Sequence, residues 1–176
     1  VGILITAQNI KEIPKLIGYL NKLNDVSIIL QPLDEMIESK DSKNKNTTVV
    51  IPELWPTQED TEKFFSWVRD NPKKIKNPPA AIRVMKKYYL DPQSALGYRC
   101  FAGQRSLIIY PNGDTTLCFK GKVIGNALEK NIREILRSRN AINERLGIIK
   151  CQKNCRIVGC NFSRGLLEFA RDALKK

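Results

Sequence analysis

CFAGQRSLIIYPNGDTTLC, residues 100–118, reads as two extended runs folded back on each other. Arg105–Tyr110 is the outgoing strand, Pro111-Asn112-Gly113-Asp114 the tight turn, and Thr115–Phe119 the returning strand. Asn-Gly between two apolar runs is a strong hairpin signal, because a two-residue turn of the right twist needs positive φ at both central positions. Cys100 stands before the outgoing strand and Cys118 near the end of the returning one. Closure of the hairpin would bring the thiols of Cys100 and Cys118 together at its open end.

Working outward, Asn131–Leu146 carries Ile132, Ile135, Leu136, Ile142 and Leu146, which predicts one helix with an apolar stripe. That helix would return the chain to the hairpin mouth, where Cys151, Cys155 and Cys160 follow in a short loop eased by Gly159. Ser163–Leu174 closes the chain as a helix with Leu166, Leu167, Phe169, Ala170, Ala173 and Leu174 on its apolar side.

The five cysteines are spaced C-x17-C, a gap of 32, then C-x3-C-x4-C, and the chain has no His. Without His, imidazole catalysis and mixed Cys/His zinc sites are excluded. An odd count in a Lys-rich chain without a secretory signal argues against a disulfide framework. Three cysteines within ten residues argue against plain burial. Thiolate ligation remains, and thiolates suit both iron–sulfur clusters and structural zinc. The spacing does not separate the two metals, although the paired C-x2-C knuckles usual in zinc ribbons are absent. Four ligands suffice for either, so one cysteine is spare or replaces another, and Cys151 and Cys155 are not ranked against each other.

Charge follows the cysteines. Residues 1–92 hold 14 Lys/Arg and 12 Asp/Glu, whereas 93–176 hold 16 and 6. Four thiolates around a zinc ion or an oxidised four-iron core keep a net charge of roughly −2, which nearby cations would stabilise. A basic solvated face is the plainer explanation. Nucleic-acid binding is disfavoured, because no stacking platform or basic–aromatic pattern accompanies the charge. No apolar stretch is long enough to span a membrane, and a cytoplasmic location is expected. The opening VGILITAQN has no initiator Met and no signal-peptide pattern, so a fragment or a processed chain is expected.

The first third alternates strand and helix. Val1–Thr6 and Val26–Leu30 are buried-type strands, the second stopped by Gln31-Pro32, and Ile10–Leu23 between them has a helical period with Pro14 in its first turn. This is a βαβ unit with a parallel sheet, which predicts strands covered on both faces. Residues 34–57 read as a charged loop, with Val49–Ile51 as a short strand. Thr57 opens a helix ended by Asn71-Pro72, and Pro78-Pro79 opens another that runs to Leu90.

Cys100-Phe-Ala-Gly103, Ile108-Ile-Tyr-Pro111-Asn-Gly113-Asp, Cys118, Gly125-Asn126 and the downstream cysteines together resemble the C-terminal SPASM/twitch region of radical SAM enzymes, over about residues 97–165. Residues 1–33 are similar to late strands of that family's barrel. The resemblance implies an α/β fold: the C-terminal part of a partial (β/α)6 TIM-like barrel in residues 1–92, then a small β-hairpin-plus-helices cluster domain in 93–176. It implies that Cys100 and Cys118 supply hairpin ligands, and Cys151, Cys155 and Cys160 the downstream ligands, of an auxiliary [4Fe–4S] cluster used for electron transfer or substrate positioning. Having fewer cysteines than the seven-cysteine set, the chain is closer to the one-cluster type. Gln31, at a strand end on the active-site side, would approach the adenosyl group of S-adenosylmethionine; a strand-terminal turn residue is the simpler reading.

The C-x3-C-x2-C motif of the SAM-cleaving cluster is absent, as is a glycine-rich SAM motif. No SAM cleavage by this chain alone is therefore expected. The implied parent is an oxidoreductase or maturase that modifies a peptide or protein, and the implied partner is the missing N-terminal half of the barrel. The competing readings are a non-enzymatic structural zinc module with four cysteine ligands, possible also as a nucleic-acid binder, and an electron-transfer subunit.

Overall fold

Gly2–Leu4 (β1) and Ile29–Gln31 (β2) pair in parallel, with Gly2 opposite Ile29, Ile3 opposite Leu30 and Leu4 opposite Gln31. The computed structural model describes residues 1–33, 53–153 and 155. The expected strand at Val49–Ile51 and the closing helix Ser163–Leu174 lie outside these. Two compact units emerge: Val1–Tyr98, with which Lys153 and Cys155 group, and Arg99–Gln152.

In the first unit, β1 and β2 are joined by Ile13–Leu20 (α1), which has Pro14 in its first turn and buries Ile13 and Ile17. The regular helix is shorter than the apolar period, because Thr6–Glu12 is a run of turns braced by Asn9, whose side chain accepts from the Thr6 N–H at 2.9 Å and donates to the Leu4 carbonyl at 2.8 Å. Gln58–Asp70 (α2) starts at Thr57, whose hydroxyl accepts from the Asp60 N–H at 3.1 Å. Pro79–Leu90 (α3) starts on a proline, whose missing N–H costs nothing in a first turn. Ile3, Ile5 and Leu30 pack with Ile13 and Ile17 of α1, Phe64, Phe65 and Val68 of α2, and Met85 and Tyr89 of α3.

Among the described residues, cover on both faces of the sheet is not found. Leu4 and Ile29 are 43% and 47% exposed, while Ile3 and Leu30 between them are buried. All three helices contribute to one core, so the strand residues alternate between it and the open face. The strand ends are pinned by α3: the Tyr89 hydroxyl donates to the Ile5 carbonyl at 2.7 Å and accepts from the Leu33 N–H at 2.8 Å. The outer edge of β2 is sealed. The Asn77 side chain accepts from the Leu30 N–H at 2.7 Å and donates to the Leu30 carbonyl at 2.9 Å, and the Lys76 N–H donates to the Ile28 carbonyl at 2.8 Å.

The second unit contains a three-stranded antiparallel sheet in the order β3 (Ile108–Ile109), β4 (Asp114–Thr116), β5 (Val123–Asn126). The hairpin is present but short, and the third strand was not expected. Gly125 explains its disguise: a Cβ there would stand 3.0 Å from the Ile135 side chain, so a residue that weakens strand propensity is required by packing. The single helix expected over 131–146 is two, Ile132–Arg137 (α4) and Arg139–Ile149 (α5). Ser138 breaks it by adopting an extended backbone and capping α5, its hydroxyl accepting from the Ala141 N–H at 3.1 Å. The change of axis also ends the stripe: Ile135 and Ala141 are buried with Leu117 and Ile124, whereas Ile142 and Leu146 are 50% and 54% exposed. Among the described residues no helix is long and apolar enough to cross a membrane.

Candidate metal centre

The turn of the hairpin is locked by side chains. Gly113 has φ +86°, where a Cβ would be strained and would also collide with Asn126 Oδ1. The Asn126 amide donates to the Asn112 carbonyl at 3.0 Å and its Oδ1 accepts from the Leu128 N–H at 2.9 Å. Asp114 adds a bond from Asn112 Nδ2 at 2.8 Å. The Asn-Gly-Asp run and the later Gly-Asn therefore form one structure, fixing β4 and β5 around the turn.

Cys118 leaves β4 into a tight reversal. The Gly121 N–H donates to the Cys118 carbonyl at 2.9 Å, and the Lys120 N–H donates to Cys118 Sγ at 3.4 Å. A backbone donor two residues after a cysteine favours its thiolate, the form that binds metal. The reversal is held from α5: Glu144 Oε1 accepts from the Lys122 N–H at 3.2 Å. Gly121 makes room, since a Cβ there would lie 2.7 Å from that oxygen.

The Cys100 segment is held by the next residue of the same helix. Arg145 Nε donates to the Gly103 carbonyl at 3.1 Å and Nη1 donates to the Leu136 carbonyl at 2.8 Å. Gly103, at φ +71°, lies against Leu117, where a Cβ would be 3.0 Å from its Cδ1. Beside Cys100, the guanidinium carbons of Arg99 and Arg105 lie 5.2 and 4.3 Å from the Phe101 ring centre. Cys151 follows α5 directly, its N–H donating to the Ile148 carbonyl at 3.2 Å. One helix thus controls three thiol-bearing segments.

Cys100, Cys118 and Cys151 are half-buried members of the second unit. Burial pushes the Cys118 thiol above the ordinary range, the Lys120 N–H opposes this, and negative charge on Cys100, Cys151 and Glu144 pushes it further up. Cys118 therefore feels the charge of the other two thiols, a repulsion that a bound cation would relieve. Among the described residues, no three Cys, Asp or Glu side chains are gathered to metal-ligating distance. Cys155 is half-buried and groups with the first unit, and Cys160 lies outside the described residues. The buried Thr116 hydroxyl, two residues before Cys118, has no hydrogen-bond partner among the described residues. A set of neighbouring thiols suits a sulfur-rich anionic group.

Residues 100–161 match the SPASM family model, an iron–sulfur cluster-binding domain. The SPASM segment takes in all five cysteines and little more than a third of the chain. No curated protein and no solved structure matches. The structural zinc site with four cysteine ligands thus has no family support, while iron–sulfur binding has.

Gln31 ends β2 in the first unit. Its backbone carbonyl accepts from the Ile5 N–H at 3.0 Å, and its exposed side chain lies over Gly2, where a Cβ would be 3.3 Å from Oε1. Sequence reading missed Glu144, Arg145, Gly121 and Thr116. Glu144, Arg145 and Gly121 carry no local signal, because each meets a segment distant in sequence.

Proposed function

We propose that this chain is the C-terminal portion of a radical SAM enzyme, in which the SPASM segment holds an auxiliary [4Fe–4S] cluster. The observation that carries the reading is the neighbourhood of Cys100, Cys118 and Cys151 within a unit that matches an iron–sulfur domain. Those three thiols would ligate the cluster, with the fourth ligand from Cys155 or Cys160. When bound, such a cluster takes up or gives back one electron. The protein's own part is to hold the thiolates, shield them partly from water and set the surrounding charge.

The first unit supports barrel parentage in two ways. Its sheet is parallel with an exposed apolar face, Leu4 and Ile29, of the kind that lines a barrel interior. Its two edges also differ. Asn77 seals β2, whereas the Gly2 backbone, which the parallel register turns away from β2, has no partner there among the described residues. Further strands would therefore join on the β1 side, from the N-terminal half of the barrel. In that enzyme Gln31 stands at the strand end that faces S-adenosylmethionine, the substrate is a peptide or protein, and the compartment is the reducing cytoplasm.

The test is anaerobic reconstitution of the full chain with ferrous iron and sulfide. About four irons and four sulfides per chain are expected, with broad visible absorbance. One zinc and no colour from anaerobically purified protein would replace the cluster by a structural zinc site. Single Cys→Ala variants at all five positions, scored for iron, assign the ligands.

A further inference from the structure

The reversal that carries Cys118 joins β4 to β5, and α5 holds it as well. Its last N–H, on Lys122, points to a carboxylate on a helix 22 residues further along the chain. A Cβ at Gly121 would lie 2.7 Å from the same carboxylate oxygen, so an added methyl would make the Glu144 side chain shift. Two independent features, an accepted hydrogen bond and a missing Cβ, therefore converge on one oxygen, Glu144 Oε1. A surface carboxylate placed for solubility has no reason to be clamped there.

We propose that Glu144 is a positioning residue for the metal centre: it fixes the Cys118–Lys122 reversal to α5 so that Cys118 keeps the orientation in which it ligates. The proposal rests on the cluster reading above. Glu144 touches the reversal and not the metal, so its role separates into two parts. As an acceptor it holds the Lys122 N–H. As a charge it makes the centre harder to reduce. Partners that orient metal ligands typically change affinity by roughly 10- to 100-fold when removed.

The variants use this separation, in the full chain reconstituted anaerobically with ferrous iron and sulfide. Glu144→Gln keeps an oxygen that can accept the Lys122 N–H and loses the charge. It is expected to retain iron within about twofold of wild type, and its midpoint potential should move in the positive direction. Glu144→Ala loses the acceptor as well, and iron release to a chelator should accelerate by roughly 10- to 100-fold. Gly121→Ala approaches from the other side: its Cβ displaces the carboxylate, so it should copy Glu144→Ala, and the double variant should be no worse than either single one. Faster exchange of the Lys122 amide in metal-free Glu144→Ala reads the same bond when the variant loads poorly.

Iron release at the wild-type rate from Glu144→Ala overturns the proposal. So does Glu144→Gln behaving like Glu144→Ala, because charge and not the held bond would then matter. Fully additive effects of Gly121→Ala and Glu144→Ala also overturn it. If wild type itself takes up no iron, the cluster reading fails and the positioning role fails with it; if wild type loads and the variants match it, the positioning role alone fails.

Discussion

Replacing Gly113 by Ala tests whether the hairpin turn is what holds the hairpin ligand strand in place. Two costs add. A residue with a Cβ at φ +86° gives up about 1–2 kcal/mol relative to glycine. The new methyl also runs into Asn126 Oδ1 and meets Leu128 Cγ at 2.7 Å, so the Asn126 side chain must leave. Leaving breaks its bonds to the Leu128 N–H at 2.9 Å and the Asn112 carbonyl at 3.0 Å, each worth about 1 kcal/mol. The sum is roughly 3–4 kcal/mol, a factor of at least about a hundred in the opening equilibrium. Both tryptophans, Trp55 and Trp67, lie in the first unit, so their fluorescence does not see this turn. Hydrogen exchange does, through the Ala127 amide on the Gly113 carbonyl at 2.7 Å and the Tyr110 amide on the Asp114 carbonyl at 2.8 Å. Both should exchange about a hundredfold faster, or up to the limit set by opening of the whole unit. Gly147→Ala is the matched control: it lies inside α5 with nothing within 4 Å of its added methyl, and it should stabilise by about 1 kcal/mol. Protection of Ala127 and Tyr110 within about fivefold of wild type in Gly113→Ala would refute the reasoning.

In the first unit, burial holds the Tyr89 hydroxyl well above the ordinary tyrosine range. A group whose folded pKa is raised contributes stability below its unfolded pKa, near 10 for tyrosine, and loses it as pH rises through the folded value. An ultraviolet titration should therefore show Tyr89 ionising only as the unit unfolds, and Tyr89→Phe, which strands the Ile5 carbonyl and the Leu33 N–H, should cost roughly 2–4 kcal/mol in a urea titration followed by tryptophan emission. Ser138→Ala removes the α5 cap and should destabilise the second unit by about 1 kcal/mol, read by exchange at the Ala141 amide. Stripping iron from the loaded chain with a chelator should lower the unfolding midpoint of α4 and α5 in circular dichroism while the tryptophan transition stays in place.

The parts of the fold legible in the sequence are those decided by neighbours a few residues apart. Thr57 before an acidic turn, Pro78-Pro79 and Asn71-Pro72 mark α2 and α3 almost to the residue, because caps and prolines act locally. Asn112-Gly113 marks the turn for the same reason. The failures come from contacts between distant segments. Gly125 weakens β5 on paper and is required by Ile135 in the fold. Ser138 sits inside a run whose apolar spacing continues past it, so periodicity carries the predicted helix through a break that the side chain's hydrogen bond creates. The site divides in the same way. Cysteines announce themselves by type, whereas Glu144 and Arg145 look like ordinary charges on an exposed helix until their backbone partners, on Lys122 and Gly103, are seen.

The two units also differ in what can hold them folded. Among the described residues, the first has a buried cluster drawn from its strands and from α1, α2 and α3, and the second one of Leu117, Ile124, Ile135 and Ala141 with Leu107, Ile132, Leu136 and Ile148 packed against it. A unit as small as Arg99–Gln152 commonly uses a staple, of which disulfides and metals are the common kinds. Cys100 and Cys118 are free thiols, so no disulfide joins these two segments. What the unit has instead is thiols on the segment before the sheet, on the exit of β4 and at the end of α5, with Cys118 pushed up by burial and by the charge of the other two. A bound cationic centre reverses the sign of that interaction and ties the three segments together at once, so ligation and folding of this unit share one free energy. On that argument the specific bonds from α5 have a purpose beyond the metal: they hold the segments near enough, before any metal arrives, for a small core to suffice.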